Sequence, residues 1–428
     1  MRAPNELNAT EAATLIARGE LTSETLVKSC LDRISAREDT IGAWQYLNPE
    51  QSLEQARERD RCRPVGPLHG IPVGIKDIIA TADMPTCYGS PIYRDWTPAW
   101  DASCVAALRA SGAIIMGKTV TTEFAAYQPG KTANPHNPLH TPGGSSSGSA
   151  AAVADMMVPL SLGTQTAGSI IRPASFCGVV GYKPSFGYVN RAGLKPSSES
   201  LDTIGVFARS VADAGLALSV LSRRTDLALN EAPMTPPCIG FCRTDQWESA
   251  EKGTELAFEK AKGVLAETGA KIVEITLPEI YRELAEAQTI IMAYETAHAL
   301  AYEALQYETL LSTKIMDLID NGRNCKVADY DMARCLADRC RAALVKVFAD
   351  IDVLIAPSVK GEAPVGLSAT GDPIFNRIWT LMHVPCINIP VMEIATRMPV
   401  GVQVIGLEGS DAQTLHTARW VEQQICQR

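Results

Sequence analysis

Gly143-Gly-Ser-Ser-Ser-Gly-Ser-Ala-Ala-Ala152 is the most informative stretch of this chain, because its glycines and serines lead directly into an alanine-rich helix. Serines at the start of a helix are often capping residues. However, Gly143 and Gly144 also permit backbone conformations that bring a serine hydroxyl close to a buried group. The stretch therefore predicts either a capped helix or a helix start that carries Ser145 into an active site.

A second glycine-containing turn follows, Gly163-Thr-Gln-Thr-Ala-Gly-Ser-Ile-Ile-Arg-Pro-Ala174. A turn of this kind that ends in Ser169 exposes successive backbone N–H groups toward one point. Such donors can form an oxyanion hole beside the serine hydroxyl itself. The alternative interpretation is a polar turn without a catalytic role.

A lysine stands at the end of the apolar segment Gly70-Ile-Pro-Val-Gly-Ile-Lys-Asp77. Residues 71–75 read as a short strand, so Lys76 is expected to be desolvated. Desolvation disfavours the charged ammonium and lowers its pKa, which makes Lys76 a candidate general base. The alternative is a lysine that pairs with a nearby carboxylate such as Asp77.

Taken together, the three segments resemble the amidase signature family. The resemblance implies that Ser169 is the nucleophile and that Ser145, in a cis peptide bond, relays a proton between Ser169 and a neutral Lys76. It also implies that a run of backbone N–H groups holds the oxyanion, those of Thr166, Ala167, Gly168 and Ser169.

Two positions depart from the family pattern. Many members carry Gly where this chain has Ala167, and Asp where it has Gln165. If the turn required a positive φ at the first of these positions, an alanine there would be strained.

The alternation of apolar strands and helices predicts an α/β fold, with a central mixed sheet covered on both faces by helices. We expect a single domain over residues 1–428. Four segments make it up: N-terminal helices at 1–65, the amidase signature core at 66–225, a mainly helical cover at 226–350, and C-terminal core strands with a closing helix at 351–428.

Three residues are candidates for substrate binding. In the malonamidase branch of the family, an arginine at the spacing of Arg172 is implicated in binding a substrate carboxylate, and a guanidinium can do so bidentately. The alternative is an arginine that satisfies loop carbonyls. Trp379 is expected in the wall of an apolar pocket, and His383 is expected to narrow that pocket.

Two other motifs compete with this interpretation. Gly112 to Thr119 fits the P-loop spacing, but its intervening residues favour a buried strand over a flexible phosphate-binding loop. Gly144 to Gly148 fits the nucleophile elbow of α/β-hydrolases, with Ser146 as the nucleophile. That fold would require an acidic residue and a histidine further along, and His298, His383 and His416 give no indication of such a role.

Composition excludes several functional classes. The chain has 428 residues, of which 46% are hydrophobic and 20% charged, with a formal net charge of −9. This acidic balance argues against a nucleic-acid-binding surface. The start of the chain lacks the apolar core of a signal peptide, and the apolar runs are too short to cross a bilayer, so a cytoplasmic protein is expected. The cysteine spacings do not indicate a zinc site, and no metal or cofactor is predicted.

Two functions from different classes remain. The first is an amidase that cleaves a small-molecule amide, expected as a homodimer from the family resemblance. The second is a subunit of a tRNA-dependent amidotransferase, which releases ammonia from glutamine for a partner. Such subunits are typically longer than this chain. An inactive binding relative is disfavoured because Lys76, Ser145 and Ser169 are all present.

Overall fold

The computed structural model describes residues 2–229, 235–391 and 398–426, so short parts of the predicted N-terminal, cover and C-terminal segments lie outside it. Within these residues, eleven strands form one sheet. The strands are β1 (Trp44–Leu47), β2 (Pro72–Lys76), β3 (Ile114–Thr119), β4 (Leu160–Gln165), β5 (Val180–Lys183), β6 (Thr203–Ala208), β7 (Cys238–Phe241), β8 (Lys271–Glu274), β9 (Val353–Pro357), β10 (Cys386–Val391) and β11 (Val400–Ile405).

The sheet is mixed, as the sequence predicted. Its order is β1-β3-β2-β4-β6-β5-β10-β11-β9-β7-β8. Strand β2 runs parallel to β3 and β4, and β7 runs parallel to β8 and β9. The other neighbouring pairs are antiparallel. The parallel trio β3-β2-β4, near one end of this order, brings the carboxyl ends of β2 and β4 to the same edge of the sheet, and this edge carries the candidate site.

Helices surround the sheet. They are α1 (Ala9–Ala17), α2 (Ser23–Ile41), α3 (Pro49–Arg61), α4 (Ser103–Ala110), α5 (Ser147–Ala154), α6 (Ile171–Cys177), α7 (Val211–Ser222), α8 (Lys252–Glu267), α9 (Leu284–Ala299), α10 (Ala301–Gln306), α11 (Thr313–Asn324), α12 (Val327–Val347), α13 (Ile374–Leu381) and α14 (Asp411–Cys426). Strands β3, β4, β6, β9 and β11 are buried at every residue, so both faces of the sheet are covered and the α/β prediction is confirmed.

Local sequence signals account for several element boundaries. The Thr22 side chain accepts a hydrogen bond from the backbone N–H of Thr25 and caps α2. The same helix ends at Gly42, whose φ of 61° is left-handed, a conformation that glycine adopts without steric cost. Helix α14 is the closing helix that was expected in the segment 351–428. The four-residue strand β1 was missed inside the segment predicted as helical, because so short a run carries little periodicity.

The P-loop spacing coincides with a strand. Strand β3 pairs with β1 on one side and β2 on the other, so its backbone groups are used in the sheet. The predicted buried strand at this position is confirmed.

The predicted cover contains α9 to α12, and α9 packs against α11, α12 and α13. Strands β7 and β8 from the same segment extend the sheet at one end. Among the helices described, none has both the length and the apolar character that a membrane span requires.

Candidate active site

Lys76 is the last residue of β2 and its side chain is fully buried. Its Nζ lies 2.7 Å from Ser145 Oγ and 2.7 Å from Thr164 Oγ1. Burial lowers the pKa of the ammonium well below its usual range; Asp202 opposes this shift, and Arg172 adds to it. The site therefore favours a neutral amine in direct contact with the Ser145 hydroxyl, as a general base requires.

Asp77 pairs with a different lysine. Its carboxylate lies 3.5 Å from the Nζ of Lys118, and both side chains are buried. The Lys118 ammonium also donates to the carbonyl of Ile79 and to Thr86 Oγ1, each at 2.6 Å. This arrangement argues against a pairing of Lys76 with Asp77, because the carboxylate next to Lys76 in sequence is engaged with Lys118.

Ser145 follows a cis peptide bond with Gly144. Its backbone carbonyl accepts a hydrogen bond from Thr122 N at 3.2 Å, and Gly144 O accepts one from the Arg172 guanidinium at 2.7 Å. These contacts fix the loop from which the Ser145 hydroxyl reaches Lys76.

Ser146, the competing nucleophile, has a different environment. It is fully buried, and its hydroxyl donates to Thr164 O and accepts from Thr164 N, both at 3.2 Å. Both hydrogen-bonding capacities of this hydroxyl are therefore used to join the start of α5 to β4. The geometry gives Ser146 a structural role.

Ser169 lies in the turn between β4 and α6 and is 6% exposed. The Gln165 side chain closes this turn, because its Oε1 accepts from the backbone N–H groups of Ile170 at 2.8 Å and Ile171 at 3.0 Å. The Ser169 hydroxyl has no hydrogen-bond partner in the part of the chain that the structure describes. Of the three predicted catalytic residues, the structure thus joins Lys76 to Ser145 by a hydrogen bond but does not join Ser145 to Ser169.

The turn accommodates its unusual residues without strain. Ala167 is not among the residues of positive φ, so the strain considered for an alanine at this position does not arise. Glycine is required at the next position, because a Cβ on Gly168 would overlap the Asn376 side-chain oxygen and approach Pro373 to 2.8 Å.

Arg172 is buried, and it makes contacts that a structural arginine would make. Its NH2 group donates to Gly144 O and, at 3.2 Å, to Thr370 Oγ1. Its Nε is buried without a partner among the described residues. Burial lowers the pKa of the guanidinium to about 10, and the nearby positive charge of Arg377 adds to this shift.

Trp379 and His383 are less closely connected to the serines. Trp379 is fully buried in the hydrophobic core. His383 stacks on Phe186 with ring centroids 4.2 Å apart, and its Nε2 lies 2.8 Å from Ser200 O, so this nitrogen carries the proton. Burial lowers the pKa of His383 to about 3, and the imidazole is therefore neutral at physiological pH. The burial of Trp379 and the contacts of His383 do not test whether these residues line the substrate pocket.

A family model described as Amidase matches residues 25–415 of this sequence. The chain belongs to the amidase family. The predicted resemblance is thus confirmed over nearly the whole chain, and with it the assignment to enzymes that act on amide C–N bonds.

The proteins that this chain is similar to include amidotransferase subunits and amidases. The chain is 34% identical to a glutamyl-tRNA(Gln) amidotransferase subunit of Chloroflexus aurantiacus, covering 96% of this chain and 95% of the relative. A crystal structure of an amidase matches with a TM-score of 0.89 and 30% identity, covering 98% of this chain and 100% of the other. The peptide amidase from Stenotrophomonas maltophilia matches with a TM-score of 0.83 and 30% identity, covering 98% and 97%.

Two residues of this amidase site were missed from the sequence. Thr164 is the second hydrogen-bond partner of Lys76. Asp202 accepts from Thr166 Oγ1 at 2.5 Å and from the backbone N–H groups of Ser197 and Ser198. Thr164 lies inside the signature stretch and could have been suspected there, whereas Asp202 reaches the site only through the pairing of β4 with β6.

A cavity of about 1170 Å³ lies in the predicted cover, between α9, α11 and α12. Its apolar lining includes Ile290, Leu318 and Leu336, and Tyr127 also lines it. Tyr127 is close enough to Arg172 to affect the pKa of the guanidinium. Within the described residues, no group of three or more His, Cys, Asp or Glu side chains could hold a metal ion.

Proposed function

We propose that this amidase hydrolyses a small amide through an acyl-enzyme on Ser169. The Ser169 oxygen attacks the amide carbonyl, and its proton passes through Ser145 to the neutral Lys76 amine. The relay then returns a proton to the leaving ammonia or amine, and water cleaves the acyl-enzyme. The observation that carries this proposal is the 2.7 Å contact between a fully buried Lys76 and Ser145 Oγ.

The backbone supports charge stabilisation in the same turn. The N–H groups of Ala167, Gly168 and Ser169 have no acceptor within residues 2–229, 235–391 and 398–426. In the proposed reaction these N–H groups, with Thr166 as a further candidate, hold the oxyanion that forms when Ser169 attacks. Removing one such donor typically costs about 10²–10³ in kcat.

We also propose that the substrate carries a carboxylate near Arg172. Two guanidinium groups, those of Arg172 and Arg377, lie close enough for one to lower the pKa of the other. Neither forms an ion pair with an acidic side chain of the described chain, and Arg172 Nε is buried and unpartnered. The charge of Asp372 already opposes part of the repulsion between the two guanidinium groups, and a substrate carboxylate would add to this effect and satisfy the Arg172 Nε. The roles of Trp379 and His383 in the pocket wall stay predictions.

Glutamine is the competing substrate. The similarity to amidotransferase subunits favours glutamine over the substrate of a small-amide hydrolase. The related amidotransferase subunits are similar along almost their whole length. Against this, the alignment with the Chloroflexus aurantiacus protein spans 466 positions, more than the 428 residues of this chain, so that relative carries segments that this chain lacks. Glutamine is itself a small amide that bears a carboxylate, and the same triad would cleave it.

The test is release of ammonia or amine from a panel of amides by wild type and Ser169→Ala. The panel contains malonamate, acetamide, benzamide, an anilide and glutamine. Turnover of any member that is lost in Ser169→Ala supports the acyl-enzyme, and an acyl group on Ser169 is then expected by mass spectrometry. Turnover that survives in Ser169→Ala would contradict the proposal. Activity on glutamine alone would identify the amidotransferase type of reaction.

The assembly state adds a second criterion. On the family resemblance we propose a homodimer, which light scattering would detect as twice the 46.0 kDa mass of the chain. The mass of a single chain would contradict this part of the proposal.

A further inference from the structure

Three carbonyl groups of the Ser169 turn are held by donors from three different helices. Thr166 O accepts from Gln288 Nε2 of α9 at 3.0 Å. Ala167 O accepts from Thr380 Oγ1 of α13 at 2.7 Å. Gly168 O accepts from the backbone N–H of Arg172 in α6 at 2.9 Å. Two of the three donors are thus side chains more than a hundred positions away in the sequence.

The direction of each carbonyl determines the direction of the next N–H. In a planar trans peptide, the C=O and N–H bonds point to opposite sides. A bond that holds Thr166 O therefore aims the N–H of Ala167 away from Gln288. In the same way, a bond that holds Ala167 O aims the N–H of Gly168 away from Thr380.

We propose that Gln288 and Thr380 are positioning residues for the reaction on Ser169. They hold the carbonyls of Thr166 and Ala167, and thereby aim the N–H groups of Ala167 and Gly168 at the oxyanion. The inference rests on the function proposed above, since it assigns these N–H groups to an acyl-transfer reaction.

The hydrogen bonds around Thr380 determine the direction in which its hydroxyl donates. Thr380 Oγ1 accepts from Gln165 Nε2 at 2.9 Å, and its single proton goes to Ala167 O. The other end of the Gln165 amide accepts from the N–H groups of Ile170 and Ile171. Gln165 and Thr380 together therefore brace the turn on both sides of Ser169. An aspartate or glutamate at position 165 could not donate to Thr380 when ionised.

A comparable series of hydrogen bonds orients the Gln288 side chain. Its Oε1 accepts from Arg377 NH1 at 2.6 Å, which leaves the amide nitrogen to face Thr166 O. The side chains of Gln288 and Thr380 are 0% and 1% exposed, so water does not compete for these bonds. Because preorganised donors cost no reorganisation when charge develops, precise aim of this kind affects the rate of the chemical step.

The experiment measures how fast a fluorophosphonate labels Ser169, because this probe requires no knowledge of the natural amide. Its phosphoryl oxygen occupies the place of the substrate carbonyl oxygen in the turn. The variants are Thr380→Val, which keeps the shape but removes the hydroxyl, Thr380→Ser, which restores it, and Gln288→Glu, which keeps an acceptor for Arg377 but loses the donor to Thr166 O.

Thr254→Val is the matched control. The Thr254 hydroxyl is also buried and donates to a backbone carbonyl, that of Val359, at 2.9 Å. This substitution loses an equivalent buried hydrogen bond in α8, away from the turn. Thermal unfolding of all variants shows whether each of them is folded.

We expect Ser169 to be labelled about 10- to 100-fold more slowly in Thr380→Val and in Gln288→Glu than in wild type. This decrease is equal to or smaller than the decrease that follows from the loss of one oxyanion donor. Thr380→Ser and Thr254→Val should label within about threefold of the wild-type rate, because each keeps the donors to the turn. The pH at which labelling falls to half should not move, because Lys76 sets it.

Three other outcomes are informative. Wild-type rates in Thr380→Val and Gln288→Glu would overturn the positioning role while leaving Ser169 as the nucleophile. A wild-type enzyme that is not labelled at Ser169 would instead contradict the proposed function itself. If Thr380→Val does not fold, slow labelling of folded Gln288→Glu supports the inference, and wild-type labelling of that variant overturns it.

Discussion

Two buried lysines stand on neighbouring strands of the sheet, and the structure gives them different environments. Lys76 ends β2, and Lys118 lies in β3 beside it, where the parallel register pairs Lys118 with Ile75. Both side chains are fully buried. Lys118 contacts the carboxylate of Asp77, a backbone carbonyl and threonine hydroxyls, whereas Lys76 contacts two hydroxyls.

The difference shows that burial alone does not make a lysine into a base. Burial lowers the pKa of Lys118 to about 8, and the Asp77 carboxylate limits the shift. Burial also lowers the pKa of Lys76 well below its usual range; no carboxylate of the described chain contacts its ammonium, and the charge of Asp202 only opposes the shift. The choice of partner therefore separates the ion-paired Lys118 from Lys76, for which we propose the role of proton acceptor.

The largest effect is expected when Lys76 is removed. In Lys76→Met the side chain keeps its bulk but cannot accept the Ser145 proton, so kcat should fall by about 10²–10⁴-fold. The protein should stay folded, because no buried carboxylate loses its partner. Steady-state kinetics on the best amide of the panel measures the loss. Activity close to that of wild type would contradict the role of Lys76 as the base.

The second prediction concerns stability at Lys118. Lys118→Met leaves Asp77 buried without its cation, which should lower the free energy of unfolding by about 3–5 kcal/mol. Denaturant titration measures this loss, and kcat of the folded protein should change less than in Lys76→Met. The double variant Lys118→Met/Asp77→Asn should recover part of the stability. Equal effects of both lysine variants on kcat would remove the distinction between the two sites.

The smallest effect is expected at Thr164. Only a neutral Lys76 accepts a proton, so kcat/KM should fall as the pH decreases through the pKa of this lysine. The Thr164 hydroxyl accepts from Nζ and thereby favours the charged form. In Thr164→Val the pKa should decrease, and the acid side of the profile should move to lower pH. The rate above this transition should change by about fivefold, the equivalent of one hydrogen bond of about 1 kcal/mol. A shift to higher pH would show that Thr164 does not have this role.

Much of the fold could be predicted from local patterns. The buried strand β3 was recognised from its apolar residues, α5 from the alanine-rich stretch after Gly144, and a closing helix was expected in the segment that contains α14. The whole pairing order was not predictable, because β10 joins β5, which lies far earlier in the sequence, and such long-range register depends on packing. The short strand β1 was lost in a helical segment for the related reason that four residues show no clear period.

Within the site, the sequence by itself determined which groups could do chemistry. A lysine at the end of an apolar strand was expected to be desolvated, and a glycine-containing turn that ends in serine was expected to expose backbone N–H groups. Only the tertiary structure decided which partner each group has: Asp77 contacts Lys118 and not Lys76, Ser146 is held by Thr164, and Thr380 and Gln288 reach the carbonyls of the Ser169 turn. The physical reason is that burial and backbone conformation follow from neighbouring residues, whereas hydrogen-bond partners in a core are brought together by elements distant in the chain.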